Sequence, residues 1–117
     1  NMMSQYQLVG DIKVITGISP NTNQASLKTM GDKFKSIAPN VVAVIAGIDG
    51  EKASFIAIVG ENAIKKGVHA GKLVKNVANI TEGNGGGKKN IAMAGIKNKD
   101  KINQALSMVK SFVEEMV

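Results

Sequence analysis

The chain has no cysteine, no tryptophan and no arginine among its 117 residues, and only one histidine. Without thiols, disulfides and thiolate metal sites are excluded, and one imidazole cannot build a multi-histidine centre, so no metal site is expected. All 15 basic residues are lysine. An ammonium attracts phosphate as a point charge but lacks the planar fork that reads guanine edges, so base-specific major-groove recognition loses its best tool. Aromatic residues make up 3% of the chain (Tyr6, Phe34, Phe55 and Phe112). That is too few for a row of rings stacking on single-stranded bases, and most of them fall at core positions. No apolar run approaches the roughly 20 residues that cross a bilayer, and no signal-peptide pattern opens the chain. It therefore reads as soluble and cytoplasmic, with no membrane partner. A length of 117 residues suits one domain with a modest core, residues 1–117. A polar start on Asn1 suggests excision from a longer protein.

What the chain does have is a glycine cluster fused to two lysines and an apolar run: Glu82-Gly83-Asn84-Gly85-Gly86-Gly87-Lys88-Lys89-Asn90-Ile91-Ala92-Met93-Ala94-Gly95. Glycines let successive amides turn toward one centre, so this segment is expected to be an anion-binding loop, with Lys88 and Lys89 adding full charges beside it. The alternative from the residues alone is a surface turn. Charge distribution favours an anion. From Asn1 to Glu61 five lysines balance five acids, whereas from Asn62 to Ile102 nine lysines face only Glu82 and Asp100. Folding requires no such basic field, but a polyanionic partner does.

Residues Gln7–Ile18 alternate around Gly10 and Asp11 as one strand or two short pieces. Asn23 is suited to cap a helix whose apolar stripe is Leu27, Met30, Phe34 and Ile37, stopped by Pro39. Val41–Gly47 is an unbroken apolar run and Ala53–Val59, but for Ser54, is another, the pattern of strands buried on both faces, and Asp49-Gly50 between them predicts an antiparallel hairpin. A short helical turn over Glu61–Gly67 precedes a helix over His69–Ile80. This helix turns Ala70, Leu73, Val74, Val77 and Ala78 inward and Lys72, Lys75, Asn76 and Asn79 outward. Asn90–Ile96 reads as a buried strand. Ile102, Leu106, Val109, Phe112 and Met116 mark one long C-terminal helix, with Asp100 at its start. The order β-α-β-β-α-β-α predicts an α/β domain, a single small mixed β-sheet flanked by helices.

Catalysis needs a nucleophile or base with an orienting partner, and the only imidazole, His69, stands at a helix start, where capping or ligand contact suits it better. The scattered acids show no paired spacing for metal-assisted phosphoryl chemistry. The tract also fails the GxxxxGK[ST] pattern of nucleotide P-loops, because Lys89 follows Lys88 where Ser or Thr is required. No catalytic residue and no cofactor is expected in this domain.

The run HAGKLVKNVANITEGNGGGKKNIAMAG, His69 to Gly95, resembles the C-terminal domain of alanyl-tRNA synthetase. There, a helix of the AGxLVxxVA type leads into a GGxGGG(R/K)xxxAxAGG loop. Matching positions are Ala70, Gly71, Leu73, Val74, Val77, Ala78, Gly83, Gly85, Gly86, Gly87, Lys88, Ala92, Ala94 and Gly95. Glu82 and Ile96 stand where the family commonly has glycine. The same module occurs in DHH-family phosphoesterases, but those place His directly after the triple glycine, where this chain has Lys88. The resemblance implies a tRNA-binding domain that contacts the outer corner of tRNA and supports aminoacylation and editing by a longer alanine–tRNA ligase. The parent would use ATP, magnesium and zinc in domains absent here. Partners implied are tRNA, the rest of the parent synthetase and, in some members, a second copy in a homodimer. The alternative implied is the substrate-binding domain of a DHH-family phosphoesterase acting on oligonucleotides or cyclic dinucleotides. Expected tRNA or phosphate contacts are Asn84, Gly85, Gly86, Gly87, Lys88 and Lys89, flanked by Lys72, Lys75 and His69.

Overall fold

The structure, a computed structural model, describes residues 6–23, 25–29 and 39–116. One six-stranded mixed sheet carries the domain, built from β1 (Tyr6–Val9), β2 (Ile12–Pro20), β3 (Val41–Asp49), β4 (Lys52–Val59), β5 (Gly85–Gly87) and β6 (Ile91–Gly95) in the order β1-β2-β3-β4-β6-β5. Among the described strands only β2 and β3 run parallel. A parallel pair needs a crossover, and that connection is helical at residues 25–29. As its sequence suggests, Asn23 caps this stretch: the Ser26 N–H donates to Asn23 Oδ1 at 2.8 Å. Met30, Phe34 and Ile37, expected on the same helix, lie outside the described residues.

The two short strand pieces read around Gly10 are β1 and β2. Val9 faces Ile12 across a two-residue turn, and Gly10 has φ +60°. The β3–β4 hairpin closes the same way, with a shift from expectation. Asp49 pairs with Lys52, so the turn residues are Gly50 and Glu51 rather than Asp49 and Gly50. Gly50 has φ +63° and Glu51 does not enter the left-handed region, the pattern of a turn with glycine at its first central position.

Alternate residues of the central strands point to opposite faces, and both faces are covered. On one side Val42, Val44, Phe55, Ala57 and Val59 pack with Leu73, Val74 and Val77 of α2 (Ala70–Ile80) and Val109 and Val113 of α4 (Val109–Met116). On the other, Ile15, Ala43, Ile45, Ile56 and Ile58 pack with Leu27. That double burial is why the strands read as continuous apolar runs instead of alternating ones. A short helix, α1 (Glu61–Lys65), links β4 to α2.

Two further expectations are corrected. The C-terminal helix is two segments, α3 (Ile102–Ser107) and α4, because the Met108 N–H bonds back three residues to Ala105 before the four-residue ladder resumes from Phe112 to Met108. Asn98 caps the 3-10 turn Lys99–Lys101 that precedes α3, its Oδ1 accepting from the Asp100 N–H at 3.1 Å; Asp100 lies inside that turn, and α3 itself begins after Lys101 with no side-chain cap. The glycine tract is also not a loop. Gly85–Gly87 is the edge strand β5, antiparallel to β6 with Gly85 opposite Ala94, Gly86 opposite Met93 and Gly87 opposite Ala92.

Candidate nucleic-acid interface

Helix α2 and strand β5 form one closed unit, and its geometry fixes where every expected contact residue lies. At the start of α2 the Ala70 N–H donates to the Lys89 carbonyl (2.8 Å) and the Gly71 N–H to the Lys88 carbonyl (3.0 Å). His69, half-buried, caps the helix by accepting the Lys72 N–H at Nδ1 (3.2 Å). The first-turn amides that would make a helix N-terminus an anion site are therefore taken by the protein itself. The turn backbone at Lys88–Asn90 is fixed as well, with the Lys88 N–H on the Ile91 carbonyl and the Asn90 carbonyl accepting from Val59. The side chains of Lys88 and Lys89 are left exposed.

At its other end α2 stops in a pair of reversed bonds, Glu82 N–H to Asn79 carbonyl and Gly83 N–H to Ala78 carbonyl. This is the Schellman arrangement, which puts the residue after the cap in the left-handed region and usually makes it glycine. Here that residue is Glu82, with φ +60°. Its carboxylate accepts from Asn98 Nδ2 at 3.0 Å and stands 4.0 Å from Lys101 Nζ, compensating contacts that glycine could not make.

Between these ends the glycines provide space, not a nest. A Cβ on Gly83 would overlap the Gly95 carbonyl, one on Gly85 would overlap the backbone of Ala94, and one on Gly87 would come within 2.8 Å of Ala92. On α2, a Cβ on Gly71 would meet the Gly87 carbonyl oxygen at 2.5 Å. Gly86 alone has nothing within 4 Å of its Cβ position and is exposed. Asn84, also exposed, accepts the Gly95 N–H at its carbonyl (2.9 Å) and the Gly85 N–H at Oδ1 (2.9 Å).

All but one of the expected contact residues fall into one group; Asn84 stands at the other end of β5, beside Gly95 and Lys97. His69, Lys72, Lys88 and Lys89 meet where α2 begins, Lys75 is exposed one helical turn further on, and Gly85–Gly87 run along the adjacent sheet edge. The rest of the basic segment lies elsewhere. Lys97, Lys99 and Lys101 follow the far end of β6, about 13 Å along the strand from Lys88–Asn90, and Lys66 Nζ is 3.3 Å from Asp11 Oδ2. The sequence reading missed the spacing role of Gly71 and Gly83; a glycine inside a helical pattern is the signal that flags the first. Among the described residues, no group of three or more His, Asp or Glu side chains converges to hold a metal. Nor is any helix there long and apolar enough to cross a membrane.

Comparison with known proteins agrees with this architecture. Residues 11–115 match the model of the DHHA1 domain, and the chain belongs to that family. It is 36% identical over 113 residues to the alanine–tRNA ligase of Alkaliphilus oremlandii, an alignment spanning 97% of this chain and 13% of that protein. Among solved structures, the C-Ala domain of Aquifex aeolicus alanyl-tRNA synthetase superposes with TM-score 0.83 at 26% identity, covering 94% of this chain and 98% of that one. A DHH-domain protein assigned to a family of ribosomal proteins shares the fold (TM-score 0.65, 15% identity, 96% of this chain and 28% of that one). The chain thus spans about an eighth of the length of the curated relatives it matches, which are alanine–tRNA ligases.

Proposed function

We propose that this domain is the tRNA-binding C-terminal part of an alanyl-tRNA synthetase and does no chemistry alone. In this reading it holds the outer corner of tRNA while the parent enzyme, an ATP-dependent alanine–tRNA ligase of the cytoplasm, esterifies alanine and edits errors. ATP, magnesium and zinc belong to the parent's other domains, and the domain itself binds none of them. Its partners are tRNA, the remainder of the synthetase and, through the parent, a second copy.

The observation that carries the reading is the grouping of Lys72, Lys75, Lys88 and Lys89, all exposed, around an edge strand without side chains. Bare glycine lets a sugar–phosphate backbone approach closely, and ammonium groups on a fixed backbone recognise its charge and shape without reading bases. Because the α2 amides are already bonded, attraction rests on the side chains of Lys72, Lys75, Lys88 and Lys89 and the exposed backbone of Gly86 and Gly87. His69 flanks the lysines at the start of α2, and Asn84 stands at the opposite end of β5. Lys88, where the phosphoesterase branch carries histidine, supports the synthetase over the substrate-binding domain of a DHH-family phosphoesterase.

Titration of the chain with tRNA at several salt concentrations tests this. Replacing both Lys88 and Lys89 by alanine should flatten the log–log salt slope by roughly 0.7 to 0.9 for each phosphate that is no longer neutralised. An unchanged slope with intact affinity removes these lysines from the interface. No retardation of tRNA even at low salt removes the RNA-binding reading altogether.

A further inference from the structure

We infer that the Asn84–Gly85 peptide is a built-in site of spontaneous covalent modification, at which the backbone nitrogen of Gly85 displaces ammonia from the Asn84 side chain. The inference stands on the local geometry and does not depend on RNA binding. Asn84–Gly85 is the only Asn–Gly pair in the sequence. Every other asparagine precedes a residue with a side chain, which crowds an incoming nitrogen. The Gly85 N–H donates to Asn84 Oδ1 at 2.9 Å, which holds the side-chain amide beside the nitrogen that would attack it. The β5–β6 register leaves that nitrogen available. The Asn84–Gly95 and Lys88–Ile91 bonds put Gly86 and Met93 in the hydrogen-bonded pair, so the Gly85 amide faces away from β6 and is held only by its neighbour's side chain. Asn84 is exposed and lines an open groove of about 510 Å³ with Lys52, Ser54, Glu82, Gly95 and Lys97, so solvent reaches it.

The reaction needs only water. The Gly85 nitrogen forms a bond to Asn84 Cγ, and its proton passes through solvent to the side-chain nitrogen. The Cγ–N bond breaks, ammonia leaves, and a five-membered imide remains. Water then opens either carbonyl, giving aspartate or isoaspartate at position 84. Either product lowers the formal net charge from +6 by one and adds a carboxylate beside Glu82. Isoaspartate also inserts a main-chain carbon immediately before β5. Gly83 and Gly85 are packed against Gly95 and Ala94 with no room for an added atom, so the strand cannot absorb it. The Asn84–Gly95 bond and the first half of β5 should release.

The test follows the folded chain in mildly alkaline buffer by mass spectrometry, reading the gain of about 1 Da and mapping its position. A synthetic peptide of residues 80–90 and the Asn84→Gln variant, whose longer side chain closes a less favourable ring, run in parallel. First product at Asn84, at a rate within about threefold of the peptide's or above it, and absent from Asn84→Gln, is the expected result. A slower folded-state rate, or first product at another asparagine, overturns the site. The isoaspartate form, separated by ion exchange, should lose hydrogen-exchange protection at the Gly95 amide. A Gly95 amide that stays protected overturns the consequence for β5.

Discussion

Two antiparallel pairs in the same sheet are held together by opposite means. In β3–β4 the contact is made by side chains: Val44, Ile45, Phe55 and Ile56 are completely buried, and the strands' apolar residues pack on α2 and α4 on one face and on Leu27 on the other. In β5–β6 it is made by their absence, since Gly83, Gly85 and Gly87 let backbone press on backbone and Gly71 lets α2 do the same. The first pair is stabilised by apolar area removed from water and tolerates modest changes in shape. The second gains little from area and has no spare volume.

Substitutions can break that comparison in graded steps. Phe55→Ala, which empties the centre of the first pair, should lower unfolding free energy by about 3–5 kcal/mol in urea titration. In the second pair, Gly71→Ala opposes a helix-propensity gain of about 1 kcal/mol to an overpacking penalty of about 1–3 kcal/mol. The new methyl meets the Gly87 carbonyl, whose position is fixed by the Gly71–Lys88 hydrogen bond next to it, so we expect net destabilisation; a stabilised Gly71→Ala would mean that the seam has slack. His69→Ala removes the cap of α2 and should cost about 1 kcal/mol, seen as a lower thermal midpoint. Glu82→Gly relieves a left-handed residue, a gain of about 1 kcal/mol or more, against removal of an exposed bond to Asn98. A small rise in midpoint is the expected outcome. Smallest of all, Gly86→Ala adds a methyl to open space and should shift stability by no more than about 0.5 kcal/mol, while weakening tRNA binding if the bare edge is where RNA lies.

Legibility in the sequence followed the same division. Strands built from side chains announce themselves: the apolar runs of β3 and β4, the split around Gly10 and the stripe of α2 all carry a pattern. β5 carries none, because three glycines have no periodicity, and only the partner strand and the helix pressed against it make it a strand. The hairpin turn slipped by one residue because Asp49-Gly50 and Gly50-Glu51 both place glycine where positive φ is needed. The C-terminal helix read as unbroken because one three-residue hydrogen bond at Met108 leaves its apolar stripe intact. For the candidate interface, the sequence put Lys72 and Lys75 on the exposed face of the helix that leads into the glycine tract, but their nearness to Lys88 and Lys89 follows from the return of β5, which the sequence did not show. The removal of Lys97, Lys99 and Lys101 to the other end of β6 was not legible either, since a charge count along the chain ignores where a strand carries it.

The closure of α2 and β5 at both ends has a mechanical result. Eleven helical residues rise about 16 Å, and the extended return through Gly83–Lys88 covers nearly the same span. Helix and strand are thus two sides of a rigid frame whose corners are the cap at His69 and the reversal at Glu82. If RNA is held at the ammonium corner as proposed, a pull there reaches the reversal at Glu82 through the hydrogen bonds of the helix and of the strand together.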